Sequence, residues 1–123
     1  MKRIMIVDDT PDFLALVAML LENENYRASM RSTGEGTIQL IKKQKPDLVI
    51  LDVMLPDIDG IDVLRMLKED PETKTIPVIV STAASDRVRQ EKQFLEAAGV
   101  EVLEKPFELD DLLHAVQKAI GRH

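Results

Sequence analysis

Polar side chains of the kinds that handle metal ions and phosphate follow several short apolar runs of this chain. Two carboxylates, Asp8 and Asp9, follow the run RIMIV, and a third, Asp52, follows LVIL. A hydroxyl, Thr82, closes the run that begins PVIV, and an ammonium, Lys105, comes soon after a brief apolar pair. Because the carboxyl ends of parallel strands meet at one edge of a sheet, we expect these side chains to converge.

The chemistry of such a cluster follows from its charges. Three carboxylates packed together repel one another unless a cation compensates. The chain has no cysteine and no well-placed histidine, so the predicted ligands are all oxygen. Oxygen ligands select a hard ion, and Mg²⁺ with retained waters is the natural choice. Thr82 and Lys105 are suitable partners for phosphoryl oxygens, and Asp52 can be the nucleophile, because carboxylates form aspartyl phosphates.

Five short apolar runs predict the strands that would position these residues. The run at Leu48–Leu51 is unbroken and rich in β-branched residues, which is typical of a strand buried on both faces of a parallel sheet. The predicted strands are Arg3–Val7, Tyr26–Met30, Leu48–Leu51, Pro77–Val80 and a brief fifth strand at Val102–Leu103.

Five helical patterns alternate with these strands, which implies a doubly wound α/β fold with helices on both faces of a five-stranded parallel sheet. The fourth helix is predicted to run from about Ser85 to Gly99 and to be poorly amphipathic, because Glu91 and Lys92 interrupt its inner face. The predicted helices begin at Pro11 after the N-cap Thr10, near Ser32–Gly34, at Ile61, at Ser85–Asp86 and at about Glu108.

Length and charge exclude several classes of protein. At 123 residues the chain is predicted to be a single domain, and it has neither an apolar run of about 20 residues nor the apolar core of a signal peptide. A formal net charge of −6 argues against direct binding of nucleic acid or of an anionic membrane. The absence of cysteine excludes disulfides and zinc thiolates, and a cytoplasmic location is expected.

Four motifs in the right order resemble the receiver domain of a two-component response regulator, the CheY-like family, over essentially the whole chain. They are IVDD, with Asp8 and Asp9; LDVMLPDIDG, with Asp52; PVIVSTA, with Thr82; and EKPF, with Lys105. The resemblance implies a flavodoxin-like sheet with strand order 2-1-3-4-5. It also implies a signalling domain, 1–123, that is not an enzyme beyond catalysing its own phosphotransfer and dephosphorylation.

The same resemblance assigns the metal ligands. Asp9 and Asp52 would bind Mg²⁺ directly, together with the backbone carbonyl of Met54, while Asp8 would act mainly through water.

The phosphoryl group, by the same resemblance, would be carried by Asp52. Thr82, Lys105 and the backbone N–H of Ala83 would contact its oxygens. The implied donor is a phosphohistidine on a sensor histidine kinase or on a histidine phosphotransfer protein. The implied output is switched binding of a downstream protein, control of an effector domain beyond His123, or a phosphorylation-dependent dimer.

One departure from the family pattern lies near the final strand. Receiver domains usually place tyrosine or phenylalanine three residues before the strand-end lysine, and Val102 stands there instead. The segment between Gly99 and Lys105 is also one residue shorter than the common pattern. Both differences affect the face that most receivers use for output, and they leave the phosphorylation chemistry untouched.

Two other classes of α/β protein share parts of this pattern. A flavin carrier needs a phosphate loop rich in serine, threonine and glycine after the first strand, and a haloacid-dehalogenase-type phosphatase needs an Asp-x-Asp there. The segment Asp57-x-Asp59-Gly60 is predicted to be a turn, because it lacks the further ligands of a calcium loop. Ser81 is interpreted as a simple N-cap, and the basic stretch Arg87–Arg89 as solvated helix charge.

Overall fold

A computed structural model describes residues 1–121 and contains one five-stranded sheet. Every neighbouring pair of strands is parallel, and the spatial order is β2-β1-β3-β4-β5. The predicted fold and strand order are therefore confirmed. The strands are β1 (Arg3–Val7), β2 (Arg27–Arg31), β3 (Leu48–Leu51), β4 (Val78–Thr82) and β5 (Glu101–Glu104).

Within residues 1–121 six helices surround the sheet, whereas five were predicted. The predicted fourth helix is two short helices, since the backbone at Glu91 leaves helical geometry with φ −105° and ψ 19°. The Glu91 N–H is shared between the carbonyls of Arg87 and Val88, both at 3.2 Å. The helices are α1 (Pro11–Asn23), α2 (Thr37–Gln44), α3 (Gly60–Glu69), α4 (Ser85–Gln90), α5 (Lys92–Ala98) and α6 (Leu109–Ile120).

Alternate residues of each central strand face two separate apolar layers. On β3, Leu48 and Ile50 belong to the core under α1 and α6, whereas Val49 and Leu51 belong to the core on the other face of the sheet. All four side chains are buried, as the unbroken apolar run predicts. On β3, polar side chains therefore begin only where the strand ends, at Asp52.

Two short loops, one before α2 and one before α3, determine where these helices begin. Asp57 accepts hydrogen bonds from the N–H groups of Gly34 and Glu35, at 2.9 and 2.8 Å, so that segment is a loop and α2 begins later than predicted. Asp59 caps α3 by accepting from the Ile61 N–H at 2.8 Å. The prediction that Asp57 and Asp59 form a turn, and not a calcium loop, agrees with these contacts.

Candidate functional site

The three predicted acids meet at the carboxyl edge of the sheet. Strands β1 and β3 are paired with Val7 opposite Leu51, and the Asp52 N–H continues this ladder by donating to the Val7 carbonyl at 2.9 Å. Asp8 and Asp52 are therefore neighbours, and Asp9 follows at once. One carboxylate oxygen of each acid lies within 4.8 Å of the others. The structure thus brings together the carboxylates that the sequence places far apart.

Lys105 reaches into this cluster from the end of β5. Its Nζ lies 2.6 Å from Asp8 Oδ2 and 3.3 Å from Asp52 Oδ2, and it stands 4.1 Å from the centroid of the Phe13 ring. The Lys105 N–H donates to the Thr82 carbonyl at 2.8 Å, which extends the β4–β5 ladder to this residue. The lysine is therefore held by backbone, by two carboxylates and by an aromatic face.

Burial and ion pairing together shift the pKa values of Asp8 and Lys105. Asp8 is 1% exposed, and loss of hydration raises the pKa of its carboxyl even though Lys105 and the Thr10 N–H lower it. Burial lowers the pKa of Lys105, but its hydrogen bond to Asp8 and the nearby negative charges outweigh that effect and raise the pKa above its usual value. The Lys105 side chain is one-fifth exposed and that of Asp8 is 1% exposed, so loss of hydration dominates the pKa of Asp8 but not that of Lys105.

Asp52 is held so that one of its oxygens is only weakly engaged. Oδ1 accepts a hydrogen bond from the Met54 N–H at 2.9 Å, while Oδ2 has the longer contact with Lys105. An antiparallel bridge between Met54 and Asp59 closes the loop that follows. The carboxylate is 5% exposed and has a fixed orientation at the end of a central strand.

Thr82 and Ala83 lie at the end of β4, on the same edge of the sheet. The Thr82 hydroxyl is fully buried and accepts a hydrogen bond from the Ala84 N–H at 3.1 Å, which leaves its own proton free to be donated. Ala83 is exposed. The roles assigned above to the Ala83 N–H and to the Met54 carbonyl stay predictions.

Two side chains near this edge were misjudged from the sequence. Ser81 is a fully buried residue of β4, and the N-cap of α4 is Ala84, so the interpretation of Ser81 as an N-cap is wrong. Arg87 is not a solvated charge, because its guanidinium contacts Asp59 at 2.6 Å and Glu91 at 2.7 Å. Only the Arg87–Glu91 spacing of four residues was visible in the sequence; the contact with Asp59 spans 28 residues.

The departure from the family pattern at Val102 lies on β5, beside α4 and α5. Val102 is half-buried on β5 and packs against the core layer that includes Val80 and Leu95. It also lines a cavity of about 350 Å³ under α4 and α5, with Val88 and Val100 among the other walls. A short side chain therefore occupies this position, and the surrounding space is open.

The arrangement can hold a hard cation beside a nucleophilic carboxylate, with a lysine and a buried hydroxyl at hand. A family model described as the response regulator receiver domain matches residues 4–117. The chain belongs to this family. Receiver domains are signalling domains of two-component systems. No helix among residues 1–121 is long and apolar enough to cross a membrane.

Individual relatives agree with this family. The chain is 34% identical over 119 residues to the probable transcriptional regulatory protein TcrX of Mycobacterium tuberculosis, and it covers half of that protein's length. The non-phosphorylated HemR receiver domain of Leptospira biflexa superposes with a TM-score of 0.87 at 28% identity, covering 100% of this chain and 97% of that one.

A third relative bears on the metal. The receiver domain of a sensor histidine kinase from Pseudomonas aeruginosa, whose structure has a magnesium ion coordinated in the active-site cleft, has a TM-score of 0.83 at 25% identity. The match covers 98% of each chain. In the present chain, Asp8, Asp9 and Asp52 supply the oxygen donors that such an ion prefers.

Proposed function

We propose that residues 1–123 form a single receiver domain in which Asp52 accepts a phosphoryl group. The observation that carries the assignment is the difference in hydrogen bonding between the two buried acids, Asp8 and Asp52. Both oxygens of Asp8 are occupied, one by the Thr10 N–H at 2.9 Å and one by Lys105 at 2.6 Å. Asp52 has an oriented carboxylate with one loosely held oxygen, at the end of the central strand β3. Of the two buried acids, Asp52 therefore has the oxygen that is free to act as the nucleophile.

The acid cluster fits a resident Mg²⁺. Asp9 and Asp52 would bind the ion directly with the Met54 carbonyl, and Asp8 would act through water. The ion, when bound, neutralises the carboxylates and the incoming phosphoryl oxygens. Two observations support the fit: the donors are all oxygen within one 4.8 Å cluster, and only one cation, Lys105, pairs with these acids among the described residues.

The protein's own residues then handle the transferred group. An Asp52 oxygen bonds to phosphorus as the donor's leaving group departs with its electron pair. Lys105 gives up its contact with Asp52 and pairs with a phosphoryl oxygen, while the Thr82 hydroxyl and the Ala83 N–H donate to the others. Each of these groups lies on the carboxyl edge of β4 or β5, so only small movements are needed.

The donor and the output follow from the family and from the charge of the chain. We infer that a phosphohistidine on a sensor kinase or a phosphotransfer protein supplies the group, and that the domain acts on no other substrate. A cytoplasmic domain of net charge −6 would bind neither nucleic acid nor membrane directly. The output would be a downstream protein, an effector domain as in relatives of twice this length, or a phosphorylation-dependent dimer.

The switch would run through the start of α4. Movement of Thr82 toward new phosphoryl oxygens pulls on the loop that its hydroxyl holds through the Ala84 N–H. Arg87, one turn of helix away, ties α4 to the Asp59 cap of α3. No residue of α4 is fully buried, so this helix can shift at low cost. Val102 is too short to sweep between buried and exposed positions, which leaves the backbone route.

Intact-mass analysis tests the proposal. A small acyl phosphate with Mg²⁺ should add one phosphoryl group to the parent chain and none to Asp52→Asn. The matched control is Asp12→Asn, which removes an exposed acid of α1 outside the cluster and should be labelled like the parent. A parent chain that stays unlabelled, or an Asp52→Asn chain that is labelled, contradicts the assignment.

A further inference from the structure

The hydroxyl of Ser81 is the one buried side-chain oxygen in the described part of the chain that has no hydrogen-bond partner. The residue is 0% exposed, in the interior of the sheet. A buried hydroxyl without a partner destabilises the fold, and such groups in native proteins call for an explanation. Alanine would fill the same space without that penalty.

The sheet register places Ser81 beside the phosphoacceptor. Ile50 of β3 is paired with Ile79 of β4, and both belong to the core layer under α1 and α6. Two residues further along each strand, on the same face of the sheet, stand Asp52 and Ser81. Neighbouring strands lie about 4.8 Å apart, so side chains paired across them on one face are adjacent. Rotation about χ1 can therefore bring the hydroxyl within hydrogen-bond distance of the Asp52 carboxylate.

The pairing of β4 with β5 places Ser81 on the same face of the sheet as Lys105. Ser81 is paired with Leu103 of β5, which packs against the same core layer, and Lys105 follows two residues later on that face. Ser81 therefore lies on the side of the sheet from which Lys105 contacts Asp52. Thr82, the next residue, faces the opposite layer. The two hydroxyls cannot replace one another.

We propose that Ser81 is a positioning residue that donates a hydrogen bond to Asp52 while the phosphoryl group is transferred; this rests on Asp52 being the phosphoacceptor. In the free domain Lys105 supplies the contact to Asp52 Oδ2, at 3.3 Å. When Lys105 turns to the phosphoryl oxygens, the Asp52 carboxylate loses that donor. Ser81 is the adjacent buried donor, and its bond replaces the lost one.

The bond acts in both directions of transfer. On phosphorylation an Asp52 oxygen bonds to phosphorus and the donor's bond to phosphorus breaks. On hydrolysis a water oxygen bonds to phosphorus, the Asp52 oxygen–phosphorus bond breaks, and its electron pair returns to the carboxylate as phosphate leaves. On phosphorylation the Ser81 bond is absent from the free domain and present in the transition state. On hydrolysis it strengthens as charge returns to the carboxylate. The bond therefore lowers both barriers. Ser81 keeps its proton throughout.

The test compares Ser81→Ala with Ser29→Ala, which removes a hydroxyl of β2 remote from the acids. Phosphorylation by an acyl phosphate and loss of the phosphoryl group should both slow about three- to tenfold in Ser81→Ala, the range of one hydrogen bond of ordinary strength. Its thermal stability should be equal to or above that of the parent, and Ser29→Ala should keep parental rates. Ser81→Cys, with a weak donor of similar size, should fall between the parent and Ser81→Ala.

The role of Ser81 and the identity of the phosphoacceptor are tested by different results. Parental rates in Ser81→Ala with raised stability would show that the hydroxyl is only an unsatisfied group, and would overturn the inference. Equal slowing in Ser29→Ala would overturn it as well. An unlabelled parent chain, or a labelled Asp52→Asn chain, would instead defeat the assignment of Asp52 as the acceptor.

Discussion

Gly60 opens α3 directly against the end of β3, and replacing it tests how closely the site depends on that contact. A Cβ at this position would lie 2.4 Å from the Asp52 carbonyl oxygen, 2.4 Å from Val53 Cα and 3.0 Å from the Val53 carbonyl carbon. Ordinary carbon contacts need about 3.5 to 4.0 Å, and backbone atoms cannot swing aside. Gly60→Ala therefore forces α3 away from the residue that carries the nucleophile.

Three contributions set the change in the free energy of unfolding. Overpacking a close-packed interior costs about 1–3 kcal/mol, and displacement of α3 also weakens the hydrogen bond from the Gly60 N–H to the Val53 carbonyl at 2.9 Å. The better helix propensity of alanine offsets less than about 1 kcal/mol of this loss of stability. We expect a net loss of about 2 kcal/mol, or roughly 6–10 °C in Tm for a domain of this size.

The assay is thermal unfolding followed by circular dichroism, combined with phosphorylation by an acyl phosphate at a temperature where the variant is folded. Gly99→Ala is the matched control, since Gly99 has φ +69° and no atom within 4 Å of the added Cβ. It should lose about 1 kcal/mol from backbone strain alone and keep its phosphorylation rate. Gly60→Ala should lose stability and label more slowly. A Gly60→Ala variant as stable as the parent, or labelled as fast, would show that α3 can move without disturbing Asp52.

Two further predictions follow from the charges. Millimolar Mg²⁺ should raise the Tm of the parent by binding the folded acid cluster, and should raise it less in Asp9→Asn; equal rises would place the ion elsewhere. The hydrogen bonds from Gly34 and Glu35 hold the pKa of Asp57 below 3.8, so their stabilisation is present above that pH and is lost as the pH falls through the folded-state value. Asp57→Asn should therefore melt lower than the parent at pH 7, with a difference that shrinks below about pH 3.8; a constant difference from pH 7 to pH 2 would contradict this.

The architecture and the members of the acid cluster follow from local patterns along the chain. Strand and helix periodicities are local, and unbroken runs such as Leu48–Leu51 can be buried only inside a parallel sheet. Once the sheet is parallel, all carboxyl ends lie on one edge, so Asp8, Asp9, Asp52 and Lys105 had to approach one another. Nothing more than the order of runs and turns was needed for that inference.

The break at Glu91 depends on the tertiary structure. Residues 85 to 99 have no proline and no internal glycine, so their composition favours one helix. Glu91 is paired instead with Arg65 of α3 and with Arg87, and Arg87 reaches across to Asp59. Contacts between residues more than 25 positions apart decide the local backbone here.

The hydrogen-bond partner of each polar group also depends on the tertiary structure. Which acid Lys105 prefers, 2.6 Å to Asp8 against 3.3 Å to Asp52, depends on differences smaller than an ångström. Ser81 and Thr82 are adjacent and chemically alike in the sequence. The Thr82 hydroxyl nevertheless accepts a hydrogen bond from the Ala84 N–H, whereas the Ser81 hydroxyl has no partner. Alternation along a strand sends them to opposite faces, and the neighbours on each face, which no local pattern encodes, determine whether a hydroxyl finds a partner.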